Sequence, residues 1–364
     1  MSPAAERLDL RHNSLNAIRL VLATLVMVSH AFPISGLARE PHLGDIKLGT
    51  LAVGGFFTIS GYLISHSRLN SSLVSYAWRR FLRIFPGYWV ALVFTAFVAA
   101  WLGGVVRGGW SVSNATEFVL SSADMVGGSS IDDATLAGAP LTGSWNGSLW
   151  TLKWEVLCYI AVGLALGLTI LWRRSWVAVA AFVVATVASL GVHFAGPDAG
   201  PVYQLTLLVP FFVAGMMLLR LSDRVALTGK GAVAAAVALL LACVLHVAEP
   251  LGPLPLAYLL LYAGAAAPTV FQRVGAPHDF SYGMYLYAFP VQQLLILAGL
   301  KRLGLVGFIV ASILATTPFA VASWFAVERP AMMAKHLPAR WRRGATSAPE
   351  APASEPAPVG ARDS

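Results

Sequence analysis

The sequence predicts an all-α polytopic membrane protein with about ten transmembrane helices and both termini in the cytoplasm. Three observations carry this. Hydrophobic residues make up 57% of the chain and charged residues only 12%, where a soluble domain averages about a quarter charged; mean hydropathy is +0.70. The apolar residues gather into runs close to the ~20 residues that cross a bilayer. Outside those runs, eighteen Lys and Arg fall on the side of the N-terminus and five on the other side, the asymmetry that marks cytoplasmic loops.

In order, the spans fall at about 15–35, 48–65, 82–103, 149–171, 175–195, 202–220, 231–248, 254–272, 281–299 and 304–326. A cytoplasmic segment, 1–14, precedes them, and 15–335 forms one integral membrane domain. Residues 104–148 make a long outer loop rich in Gly and Ser, with Asp124, Asp132 and Asp133; a loop of that length is usually functional or disordered. Residues 336–364 are basic, then Pro/Ala-rich, the composition of a disordered tail. The first run is too long for a signal peptide and carries polar residues, so it reads as a retained helix. The net charge of +8 follows membrane topology and points to no nucleic acid. Cys158 and Cys243 lie in apolar runs without metal-ligand spacing, and inert thiols are expected. No metal site is expected.

The first span, LNAIRLVLATLVMVSHAFPIS, holds Arg19 and His30. A charge there costs at least a few kcal/mol and so has a function or a partner. Eleven residues turn the helix about 20° past three full turns, so both side chains share one face, roughly 16 Å apart along the axis. His30 near the outer end of its span and Glu155 near the outer end of the fourth lie at matched depth. Two readings stand: a general base with its orienting carboxylate, or a buried polar tie between helices. Arg79, Arg80 and Arg83 crowd the inner end of the third span. They read either as a positive-inside anchor or as a phosphate cluster for an anionic donor; Pro86 is expected to bend the helix there. In GGFFTISGYLI, the small residues Gly54, Gly55, Ser60 and Gly61 suit close helix packing, and Ser60 has no evident base beside it. Asn146, Ser148 and Trp150, where the outer loop enters the fourth span, are candidate substrate contacts; Ser148 also suits a helix N-cap.

Taken together, six blocks between about residues 13 and 332 resemble the membrane-bound acyltransferase family 3, O-acyltransferases of bacterial surface polysaccharides and small molecules. Arg19 and His30 match its Arg-x10-His motif. GGFFTISGYLI, RRFLRIFPGYW (Arg80, Arg83 and Pro86), NGSLWTLKWEVLCY (Glu155), SYGMYLYAFPVQ and VERPAM follow in the same order. Ala288 stands where many members carry a His, so no acid–base role transfers to that position; Gln292 and Gln293 beside it are candidate substrate contacts. The resemblance implies an acyltransferase of the bacterial cytoplasmic membrane that uses acyl-CoA, most often acetyl-CoA, as co-substrate, with no permanent cofactor. The acceptor would be a hydroxyl of an extracytoplasmic or lipid-linked glycan. Arg80 and Arg83, with Arg79, would hold the donor phosphates; Arg19 would sit near the donor arm; His30 would be general base or acyl relay, and Glu155 its partner. A transporter or flippase of glycan or lipid, and an acyltransferase of a small-molecule hydroxyl, are the alternatives. A membrane scaffold would leave Arg19 and His30 unexplained.

Overall fold

A computed structural model describes residues 8–10, 12–127, 131, 133–165, 174–196, 200–275 and 278–337. The expected tail beyond 337, Asp132, and the 166–171 end of the fourth span lie outside them. Helices dominate the rest: α1 Leu15–Ser35, α2 Leu48–Leu69, α3 Leu73–Arg107, α4 Val112–Ser122, α5 Trp150–Ala165, α6 Ser175–Ala195, α7 Pro201–Arg220, α8 Gly229–Val244, α9 Pro253–Ala266, α10 Ser281–Leu297 and α11 Leu300–Met333. A two-stranded antiparallel hairpin, His42–Leu43 with Ile46–Lys47, joins α1 to α2 in the register His42↔Lys47, Leu43↔Ile46.

Six helices, α1, α2, α3, α6, α7 and α11, are long and apolar enough to cross a membrane. α8 and α9 are apolar but shorter, 16 and 14 residues. The third and tenth spans are longer than the hydropathy suggests. α3 starts at Leu73, because Ser72 caps it by accepting the Ser75 amide, and it runs through Pro86. Its far end and α4 both occupy what reads as loop. α3 and α11 each contain one π-helical turn, Thr95–Ala99 and Trp324–Glu328, a local rewinding often found at functional positions.

α10 is the centre of the molecule. Fourteen of its residues are buried, on every side of the helix, as expected of a helix enclosed by others. α6 is its opposite: only Ala178 and Ser189 are buried, while Val183, Val184 and Val187 stand exposed, a face suited to lipid. α2 and α7 approach so closely that a Cβ on Gly61 would lie 1.9 Å from the Phe212 carbonyl oxygen, and one on Gly215 2.0 Å from that of Thr58. The small residues of GGFFTISGYLI thus do pack helix against helix.

Candidate active site

His30 lines a cavity of about 130 Å³ together with Glu40, Lys47, Ser148, Trp150, Thr151 and Tyr285. Its ring stands edge-on to Phe289, with centroids 5.3 Å apart. Its Nδ1 is buried and has no hydrogen-bond partner among the described residues. A buried, unsatisfied imidazole nitrogen is costly and leaves a lone pair or proton available to an incoming group.

The wall of this cavity is tightly braced. The Ser29 hydroxyl accepts the Gly49 amide (2.8 Å), which belongs to the first turn of α2, and donates to Glu40 Oε1 (2.7 Å). Lys47 stands 3.5 Å from Glu40 Oε2. Across the cavity, Asn146 donates to the Leu286 carbonyl (3.0 Å) and accepts from the Ser148 hydroxyl (2.8 Å). The Ser148 carbonyl in turn accepts from Tyr285 (2.5 Å), which shares a second short hydrogen bond with Thr151. Ser148 and Trp150 therefore line the cavity, and Asn146 holds Ser148 in place.

Glu155 does not line this cavity. Its Oε1 accepts hydrogen bonds from Ser60 (2.8 Å) and from Tyr159. Matched depth therefore does not put His30 and Glu155 side by side, because depth says nothing about which faces of two helices meet. The carboxylate in the His30 cavity is Glu40, which comes from the connection after α1, where hydropathy carries no signal. Ser60, for which the sequence offers no base, has Glu155 as its partner.

At the other end of α1, Arg19 Nη1 donates to Asp279 Oδ2 (2.7 Å), and Arg83 Nη2 donates to the same oxygen (2.5 Å). Arg83 Nη1 stands 3.5 Å from Glu328 Oε2. Ser281 donates its amide and hydroxyl to Asp279 Oδ1, and Ser323 donates to Glu328. The guanidinium of Arg83 also lies over the Tyr282 ring, 5.6 Å from its centroid. Burial pushes the Asp279 carboxyl up, but the Arg19 and Arg83 guanidiniums and the Ser281 hydrogen bonds hold it well below the usual carboxylate range. Arg83 is thus committed to internal carboxylates. Arg79 donates to the Ser75 carbonyl (3.0 Å). Arg80 lines an apolar groove of about 390 Å³ beside Tyr159, and its buried Nε has no partner among the described residues. Asp279 and Glu328 are absent from the sequence-derived site; Glu328 lies within the VERPAM block, and Asp279 stands two residues before SYGMYLYAFPVQ.

Gln292 and Gln293 are fully buried and donate to backbone carbonyls, Gln292 to Met27 and Gln293 to Leu141 and Ser144. They brace α10 against α1 and the segment before α5.

Residues 12–325 match the sequence family described as an acyltransferase domain. An O-acetyl transferase of Shigella phage Sf6 is 32% identical over 79% of this chain and 86% of its own length. Nodulation protein 10 of Rhizobium leguminosarum bv. viciae is 30% identical over 91% of this chain and 96% of its own. No solved structure matches significantly. The chain belongs to this acyltransferase family, and its apolar helices make it a multi-pass membrane protein.

Proposed function

Proceeding from that membership, we propose that the protein moves an acetyl group from acetyl-CoA on the cytoplasmic side to a hydroxyl of an extracytoplasmic or lipid-linked glycan. It would act in the bacterial cytoplasmic membrane, with ten spans and both termini inside. The observation that carries this reading is His30: a buried imidazole whose Nδ1 has no partner among the described residues, lining a small cavity among polar side chains. In this reading His30 takes the proton of the acceptor hydroxyl as that oxygen attacks the thioester carbonyl. The C–S bond breaks, and His30 returns the proton to the departing CoA thiolate. Glu40, in the same cavity, balances the imidazolium. Ser148 and Trp150 contact the acceptor, and Asn146 positions Ser148.

The donor phosphates are assigned to Arg79 and Arg80. Arg19 and Arg83, held by Asp279, keep the inner ends of α1 and α3 in register for the donor arm. Glu155 accepts from Tyr159, which lines the groove between α3 and α5 together with Arg80, and would support the donor side through that tyrosine. The test is acetyl transfer from labelled acetyl-CoA in membranes carrying wild-type protein or His30→Ala at equal expression. Transfer to cell-envelope glycan by the wild type and none by the variant supports the reading; full transfer by a well-expressed His30→Ala protein overturns it.

A further inference from the structure

A second cluster, outside the machinery just described, joins three elements. The hairpin turn between Leu43 and Ile46 needs Gly44, whose φ is +67° and where a Cβ would lie 2.1 Å from the Cys243 carbonyl oxygen. That turn sets Asp45 against the helical turn Ala248–Leu251, whose first amides, Ala248 and Glu249, donate to its two carboxylate oxygens (2.8 and 3.1 Å). Glu249 comes from that helical turn, and Tyr203 on α7 fixes it by donating to Oε1 (2.8 Å). His193 comes from the last turn of α6.

Three donor atoms converge there. His193 Nδ1 is 3.8 Å from Asp45 Oδ2 and 3.7 Å from Glu249 Oε2, and all three lie within 4.8 Å of one another. These separations are too long for hydrogen bonds. They are close to those of ligands around one ion: donors about 2.1 Å from a tetrahedral metal stand about 3.4 Å apart. The only side chain at ion-pair distance from the two carboxylates, among the described residues, is the imidazole of His193. The Asp45, Glu249 and His193 side chains are only 12, 15 and 19% exposed, and among the described residues no Lys or Arg is within ion-pair distance of either carboxylate. Two partly desolvated carboxylates with no Lys or Arg beside them favour a bound cation.

We infer that Asp45, His193 and Glu249 form a binding site for a divalent first-row transition ion, Zn²⁺ or Mn²⁺. One imidazole with two carboxylates is the donor set such ions take, and three protein ligands leave positions open. Those positions face a cavity of about 410 Å³ that shares Lys47, Thr50 and Trp150 with the His30 cavity. The backbone amides on Asp45 and the Tyr203 hydroxyl on Glu249 orient the ligands from outside. The ion would tie α6, the α1–α2 hairpin and the Ala248–Leu251 turn together at the mouth of the catalytic cavity.

The test uses full-length protein purified in detergent without a polyhistidine tag, stripped with chelator, and titrated with ZnCl₂ or MnCl₂. Bound metal is counted by elemental analysis and the thermal midpoint is recorded, neither of which depends on transferase activity. The wild type is expected to hold one ion per chain and to melt higher with it. Glu249→Gln, which keeps the Tyr203 hydrogen bond, and His193→Ala are expected to elute as the wild type does and to lose the ion. Tyr203→Phe should weaken binding by about tenfold. Cys243→Ser, at the thiol beside the turn, should bind as the wild type does. A wild type that holds no ion, variants that hold as much as it does, or loss of the ion on Cys243→Ser would each overturn the inference.

Discussion

The two ends of α1 carry its two polar side chains in opposite states. At one end Arg19 is partnered within the protein: its Nη1 shares Asp279 Oδ2 with Arg83, and Ser281 occupies the other carboxylate oxygen. At the other end His30 keeps a nitrogen with no partner among the described residues, in a cavity. One end is an electrostatic lock that joins α1, α3, α10 and α11; the other, in the proposed reading, is where a reactant enters. A polar residue in an apolar helix is therefore no single signal. What separates structure from chemistry is whether its partners come from the protein itself.

Breaking the open end should give the largest change in activity. His30→Ala should lower acetyl transfer at least about 100-fold while the thermal midpoint in detergent stays near that of the wild type. Breaking the lock should do the reverse. Asp279→Ala removes the carboxylate that Arg19 and Arg83 share, leaving Arg83 only its longer contact with Glu328, and should cost about 3–5 kcal/mol, read as lost expression and a lower midpoint; activity per folded molecule measures how far the lock also serves the donor. The contrast sharpens with pH. The folded Asp279 carboxyl titrates below its unfolded value, so its contribution is present above that value and is lost only as pH falls through the folded one. The stability gap between the wild type and Asp279→Asn should thus be flat from pH 8 to pH 5 and shrink only below about pH 4, as followed by thermal melts across buffers.

The α2–α7 contact, remote from both ends, supplies a purely steric reference. Gly215→Ala should cost about 1–3 kcal/mol by forcing the helices apart, with kcat per folded molecule unchanged. The smallest effect is expected at Glu155. Glu155→Gln keeps an oxygen for Ser60 and Tyr159 but removes the charge, and it should reduce transfer by about tenfold, about 1.4 kcal/mol of barrier, with the midpoint unmoved. If it instead matches His30→Ala, Glu155 belongs with the chemistry of the open end.

The all-helical, membrane-spanning character was legible in composition and run length, because a bilayer demands apolar helices whatever their arrangement. The motif blocks led to the acyltransferase family, which the match over residues 12–325 establishes. Arg19 and His30 were found from cost alone: polar side chains in an apolar run must be accounted for. Helix lengths were less legible. α3 and α11 extend past their hydropathy runs, since capping, as by Ser72 at the start of α3, rather than apolarity decides where a helix ends.

Partnership belonged wholly to the tertiary structure. Sequence spacing says where a residue lies along its own helix, and hydropathy says how deep. Neither says which neighbouring helix presents which face, and that rotation decides contacts at 3 Å. So depth suggested Glu155 for His30, while packing put Glu155 with Ser60 and Tyr159 and brought Glu40 to the cavity from a short connection. The same packing put Arg83 on Asp279, 196 positions away. By itself the sequence determined that this chain lives in a membrane, which family it resembles and which residues demand explanation. The fold alone decided which of them meet, because close-packed helices allow only one rotation of each against its neighbours.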